Sequence, residues 1–191
     1  MSYKLTGYPK KLMLRDGANV TVRPLCEADE DALAAFFRSV PEHDRYFLKD
    51  DVTSPKVISR WTSHIDYARA LPLVAVEGDR IIANGVLLRS RHGAYANVAG
   101  IRIVVEEGSR QRGLGTALTK ELCDIAADAD LERVTAEFVV GVQDDAITAA
   151  ERLGFLRAAT IHELLRDETG HPHDVAVMSL PLGKWYAWWK F

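Results

Sequence analysis

A strand that runs into a turn carrying two glycines and leaves it as a helix restricts a chain severely. This sequence has such a unit just past its midpoint. Ile101-Arg102-Ile103-Val104-Val105 reads as a buried strand, and Arg110-Gln111-Arg112-Gly113-Leu114-Gly115-Thr116 follows as the turn. Beyond it Leu118, Leu122 and Ile125 recur at helical spacing, with Ala117 and Ala126 beside them. Glycines let a backbone approach a ligand closely. The first N–H groups of a helix have no partner within it and carry the positive end of its dipole, which suits phosphate. A Walker-type loop requires Lys-Ser or Lys-Thr after its last glycine, and Thr116-Ala117 stand there instead. A dinucleotide fingerprint requires a small residue three places after Gly115, where this chain has Leu118. On these residues alone, a glycine turn capping an ordinary helix remains the alternative.

Composition narrows the classes. A chain of 191 residues fits one domain, 1–191, with a sizeable core at about 12–180 and an aromatic tail at 181–191. The net charge of −3 argues against a nucleic-acid partner. Cys26 and Cys123 lie far apart and have no zinc spacing, as in a reduced cytoplasmic protein. No apolar run reaches membrane-spanning length and no signal peptide opens the chain, so no membrane partner and a cytoplasmic location are expected.

Periodicity supplies the other elements. Lys11–Leu14 and Val20–Pro24 flank Asp16-Gly17 as a hairpin. A helix over Ala32–Phe37 ends before Pro41, and a second starts at Ser54-Pro55 with Val57, Ile58, Trp61 and Ile65 as its buried side. Strands follow at Leu73–Val76, at Ile81–Leu88 and from Tyr95 to Val105. After the glycine turn and its helix come a strand at Val134–Val140, a helix at Ala146–Leu153 stopped by Gly154, and strands at Phe155–Leu165 and Val175–Leu180. The reading is α/β: a mixed, mostly antiparallel sheet with helices on both faces.

The pattern Arg-x-x-Gly-x-Gly after a strand resembles the acetyl-CoA loop of the GNAT N-acetyltransferase superfamily. The element order resembles the GNAT fold from about Leu12 to Leu180. Many members also carry Asn-x-x-Ala, then Tyr, then Gly-Phe, and Gln143, Ala146, Gly154 and Phe155 fall at that spacing. The opening Asp16-Gly17, with Val22-Arg23-Pro24-Leu25 and Asp29, is similar to a subgroup that includes bacterial protein-lysine acetyltransferases.

This resemblance implies acetyl-CoA as donor substrate, held where two parallel strands splay, and no metal. The pyrophosphate would rest on N–H groups of Arg112, Gly113, Leu114, Gly115 and Thr116, next to Gln111. The pantetheine arm would lie along Ile103, Val104 and Val105 as an added strand. Arg110 and Arg112 either meet phosphate oxygens or form a solvated basic edge. Gln143 stands for the family Asn in the cofactor site. Two departures bear on catalysis. Ala150 replaces the usual Tyr acid, and Gly100 stands about where some protein acetyltransferases place a glutamate base.

Arg102 and Glu137 are charges within apolar strands, expected to form a structural ion pair; the functional reading makes Glu137 a base near the acceptor amine. Glu106, Glu107 and His92 are expected at the surface, and His171-Pro172-His173-Asp174 is expected as an exposed hairpin loop. Lys184-Trp185-Tyr186-Ala187-Trp188-Trp189-Lys190-Phe191 is expected to pack on the chain's own sheet or in a homodimer. The expected activity is direct transfer of acetyl to a small-molecule or protein amine, with the stretch from Arg38 to Tyr67, including Arg45, Tyr46 and Phe47, shaping the acceptor site. The alternative is a non-catalytic CoA-binding regulatory module.

Overall fold

The computed structural model describes residue 3, residues 5–90 and residues 92–183. The aromatic run after Gly183, expected to pack on the sheet or in a homodimer, lies outside the described residues.

Strands β1 (Lys10–Met13) and β2 (Asn19–Pro24) form the opening hairpin. Helix α1 (Glu30–Ser39) buries Leu33, Phe36 and Phe37. A short α2 (Glu42–Arg45) follows Pro41, and α3 (Pro55–Ser63) starts at an extended Ser54 with proline in its first turn. This α3 ends before Ile65, and Ile58 and Thr62 are its buried residues. Next come β3 (Ala70–Glu77), β4 (Arg80–Arg89) and β5 (Val98–Val105). Residues Gly93–Tyr95 form a 3-10 turn, so β5 begins later than the expected strand from Tyr95. Helix α4 (Leu114–Asp128), β6 (Arg133–Val139), α5 (Asp144–Arg152), β7 (Leu156–Arg166) and β8 (Pro172–Pro181) complete the order.

The strands lie in one sheet in the order β1-β2-β3-β4-β5-β6-β8-β7. Every neighbouring pair is antiparallel except β5 and β6. The larger core lies under α4 and α5, where Leu118, Leu122, Ile125, Ile147 and Phe155 meet Leu73, Ile82, Ala136 and Met178. Close approach of α4 depends on Gly85 of β4, since a Cβ there would stand 3.2 Å from Leu122 Cδ1. On the other face α1 and α3 bury Leu25, Leu33, Phe36, Phe37 and Ile58 against Val74 and Ile81. Those helices cover the β2–β4 side, which leaves β5 and β6 open on that face at Arg102 and Glu137, both exposed.

Candidate functional site

Strands β5 and β6 pair only at Val98–Gly100 with Arg133–Thr135. Beyond Gly100 and Thr135 the two part, while each keeps its outer neighbour: Ile101 to Val105 stay on β4, and Ala136 to Val139 stay on β8. The result is a wedge open toward the strand ends. Glu106 donates its N–H to the Ile82 carbonyl at 2.9 Å. The two-residue repeat of a strand then turns the main-chain groups of Arg102 and Val104 toward β4, and those of Ile101, Ile103 and Val105 into the wedge. On the far side Val140 donates to the Asp174 carbonyl at 2.9 Å, so the main chain of Glu137 faces the wedge as well. Side chains sort the other way. Ile103 and Val105 pack on the α4 core, and Val104 packs on the α1–α3 core. A ligand in the wedge therefore meets backbone N–H and C=O groups on a rigid strand, which suits an amide-bearing chain.

The turn closes the wide end. Gly113 sits at φ 87° as the residue before α4, a left-handed conformation that glycine adopts without strain. A Cβ there would lie 3.3 Å from Arg15 Nε, so space as well as conformation selects glycine. Ala117 donates to Gly113 O at 3.0 Å as the first helical bond, and no side chain caps the helix. The N–H groups of Leu114, Gly115 and Thr116 are thus the unpaired ones of the first turn. They offer partial positive charge to a phosphate at the wide end of the wedge. Gly115 is less constrained, since a Cβ would meet only Val105 Cγ2, at 3.7 Å. Gln111, at φ 60°, is exposed on the turn.

The two arginines have different partners. Arg112 is engaged by Asp16 and by Glu77, the latter at 2.8 Å, and its main-chain carbonyl accepts from Arg15 N–H at 3.1 Å. The Glu77 and Asp16 bonds raise the guanidinium pKa, and the Ala18 N–H and Arg112 hold the Asp16 carboxyl below its ordinary range. Arg112 thus ties the turn to the β1–β2 hairpin and β3 and is no solvated edge. Arg110 bonds Asp44 of α2 and donates Nε–H to the Val105 carbonyl at 3.2 Å. Gln143 accepts the Val139 N–H at 2.8 Å through its side-chain oxygen and so seals the end of β6, which leaves its NH2 group as the donor.

Arg102 and Glu137 do not form the expected pair. They lie past the last β5–β6 pairing, on opposite banks of the widening wedge. Glu137 instead bonds Lys49 at 2.8 Å, and both side chains are more than half exposed. Glu106, expected in solvent, pairs with Arg80 and is largely buried, whereas Glu107 and His92 are exposed. Ala150 is buried within the α4–α5 core, so its position offers no hydroxyl to the wedge. Gly100 stands at the point where the strands part.

The segment around α2 lies in the stretch from Arg38 to Tyr67 that was expected to shape the acceptor site, but its contacts with β5, β6 and β8 were not expected. Asp44 reaches Arg110 beyond β5, Lys49 reaches Glu137 on β6, and the Phe47 ring packs edge-on at 5.6 Å against His173 on β8. Residues 44–49 therefore bridge the wedge on its open face. The expected exposure of the His171–Asp174 run holds for His171 but not for Pro172, His173 and Asp174. Pro172 to Asp174 belong to β8, and the His173 side chain is only 16% exposed, with its Nε2 at 3.0 Å from Asp167 Oδ2. His173 and Thr169 hold the Asp167 carboxyl well below the usual carboxylate range. Among the described residues no group of three or more His, Cys, Asp or Glu is placed to hold a metal. No helix of the described residues is long and apolar enough to cross a membrane.

Known proteins give the same picture. The GNAT domain of Streptomyces lividans PAT superposes with a TM-score of 0.72 at 24% identity, covering 90% of this chain and 96% of that one. The ribosomal-protein-S5-alanine acetyltransferase of Vibrio fischeri gives 0.75 at 15% identity, over 87% and 94%. The yncA protein of Salmonella typhimurium, solved with its cofactor acetyl-CoA, gives 0.72 at 20% identity, over 86% and 95%. At these identities the likeness is one of fold. No curated protein sequence matches. A family model described as the acetyltransferase (GNAT) family matches residues 29–155. With well over half the chain inside that match, this protein belongs to the GNAT family of acetyltransferases.

Proposed function

We propose that the protein moves the acetyl group of acetyl-CoA to a primary amine by direct attack in a ternary complex. The observation that carries this reading is the parting of β5 and β6 after Gly100 and Thr135, with the uncapped start of α4 at the wide end. The pantetheine arm lies along Ile103–Val105, and the pyrophosphate rests on the N–H groups from Arg112 to Thr116. Gln143 supports the donor from the β6 side. Arg110 is the arginine proposed to reach phosphate or pantetheine: it too is paired, with Asp44, but it has one carboxylate partner where Arg112 has two and is the more exposed of the pair.

The chemistry turns on protons. An alkylamine with a pKa of about 10.4 must lose a proton to attack, whereas a thiol of about 8.5 can leave as thiolate near neutral pH. Absence of a hydroxyl at Ala150 therefore costs less than absence of a base would. Glu137 is the proposed proton acceptor: its carboxylate stands at the edge of the wedge on the face that residues 44–49 bridge. The amine nitrogen bonds to the acetyl carbon, the carbon–sulfur bond breaks, CoA leaves as thiolate, and the nitrogen's proton passes to Glu137 or water.

A homodimer belongs to the same proposal. Strand β7 is a sheet edge and exposes Leu156, Ile161 and Leu164, and light scattering reads the mass. The transfer itself is tested by thiol release from acetyl-CoA across a panel of amines. Release with at least one amine class is expected. Acetyl-CoA binding without release from any amine overturns it.

A further inference from the structure

The carboxylate proposed as proton acceptor already has an amine of this chain in front of it. Lys49 Nζ donates to Glu137 Oε2 at 2.8 Å. Thr135 is the last residue of β6 paired with β5, and Glu137 follows it by two residues. Glu137 therefore stands where the wedge begins to open. A pantetheine arm that enters from the glycine turn and runs along Val105, Val104 and Ile103 carries its thioester toward this narrow part. Lys49 is thus the amine that the fold itself holds at the reacting end of the donor.

The backbone that carries Lys49 is anchored on both banks. Asp44 bonds Arg110 beyond β5, Phe47 packs on His173 of β8, and Leu48 packs on the α1–α3 core. The Lys49 side chain itself is looser. It is 56% exposed and its partner 53%, and an exposed pair of this kind separates at little cost. The ammonium can therefore leave the carboxylate and turn into the wedge while its backbone stays in place. The other described lysines stand elsewhere: Lys10 and Lys11 on β1, Lys56 on α3 and Lys120 on α4. Lys10 is engaged by Glu121 of α4 at 2.6 Å. Nucleophile, proton acceptor and donor held on one scaffold need no second molecular encounter.

We infer that Lys49 is a self-acetylation site, modified within the same chain by the bound acetyl donor. The inference rests on the transfer reading given above. The Lys49 ammonium gives a proton to Glu137, and the neutral nitrogen attacks the acetyl carbon. The N–C bond forms, the C–S bond breaks, and CoA leaves as thiolate. The second proton of the nitrogen passes to the thiolate or water, and Lys49 becomes a neutral amide. Acetylation removes the lysine charge, so the pair with Glu137 is lost. The carboxylate is then free to take the proton of an outside amine, and the segment keeps its anchors at Asp44, Phe47 and Leu48.

The test incubates the full chain with isotope-labelled acetyl-CoA and no added amine. Intact mass and peptide mass spectrometry read the label, and Lys11 and Lys56, exposed on β1 and α3, serve as internal controls. The expected result is acetyl on Lys49 at a stoichiometry near one per chain, gained at least about tenfold faster than on either control. Its first-order rate should be unchanged when the protein is diluted, should rise with pH, and should be suppressed by excess CoA. Thiol release should match the label, and both should be lost in Lys49→Arg, which keeps a cation for Glu137. Labelling of Lys49 no faster than of Lys11 and Lys56, or insensitive to CoA, overturns the inference as ordinary surface chemistry. A rate that falls on dilution overturns modification within the chain. Turnover of an added amine with Lys49 unlabelled overturns the inference and leaves transfer standing. Acetyl-CoA binding with neither label nor turnover overturns the transfer reading and this site with it.

Discussion

The Glu137 carboxylate lies 2.8 Å from the Lys49 ammonium, across 88 residues of sequence, and this contact fastens the segment after α2 to the open bank of the wedge. Both groups are more than half exposed, so the pair holds a position without carrying much of the fold.

Replacing Glu137 by Gln should therefore leave stability near that of the parent, because exposed pairs contribute about 0–1 kcal/mol. The expected Tm change is at most about 4 °C for a chain of this size. If Glu137 takes the amine proton, the single-turnover rate should fall by about 10²–10⁴-fold. Melting and rate are measured on the same variant. A normal rate with a normal pH profile removes Glu137 from the mechanism and leaves water as proton acceptor.

The two glycines of the turn should behave differently. Gly115→Glu has room for its Cβ, and an acidic side chain in the first turn suits the helix dipole, so the domain should remain folded. Its negative charge stands where phosphate is proposed to rest, and acetyl-CoA affinity should fall at least a hundredfold by calorimetry. Gly113→Ala should instead lower Tm, since φ 87° and the Arg15 side chain both oppose a Cβ; strain of this kind costs about 1–3 kcal/mol. Unchanged acetyl-CoA affinity in a folded Gly115→Glu protein removes the phosphate assignment.

Stability should fall in acid through Asp29. Burial alone would lift its carboxyl, but two bonds from Arg23 and the Cys26 N–H outweigh burial and hold it below its ordinary value. A carboxyl depressed in the folded state stabilises fully above its unfolded value, about 3.9, and loses that contribution as pH falls through the folded value. Asp29→Asn should cost about 1–3 kcal/mol at pH 7 by leaving Arg23 without its partner. The difference from the parent should shrink below about pH 4. A difference that stays constant from pH 7 to the acid limit would exclude the pair as its source.

The rate should respond to pH on one side only. With alanine buried at position 150 there is no acid to titrate away, so kcat/KM should rise with pH and flatten, without a strong fall below about pH 9. A bell-shaped profile centred near neutrality would show that another residue supplies the acid.

Much of this protein was legible in the chain alone because its cues are local. The two-residue and helical repeats, Ser54-Pro55 before α3 and the glycines of the turn act within a few residues, so the order of elements along the chain and the glycine turn that opens α4 follow from them. Boundaries differ by a few residues where end residues lack a hydrophobic partner, as at Tyr95 in its 3-10 turn. Local pattern does not determine what meets across the fold. Arg102 and Glu137 read as partners because both interrupt apolar strands, yet pairing depends on how far β5 and β6 stay together, and they part after Gly100 and Thr135. The partners of Arg112, Asp16 and Glu77, lie in other segments and could not be read from its neighbours in sequence. Likewise the Phe47–His173 contact and the bridge of residues 44–49 exist only once β8 lies against β6 and α2 reaches over the wedge. A side chain's neighbours are set by packing between distant segments, and that packing is a property of the folded sheet.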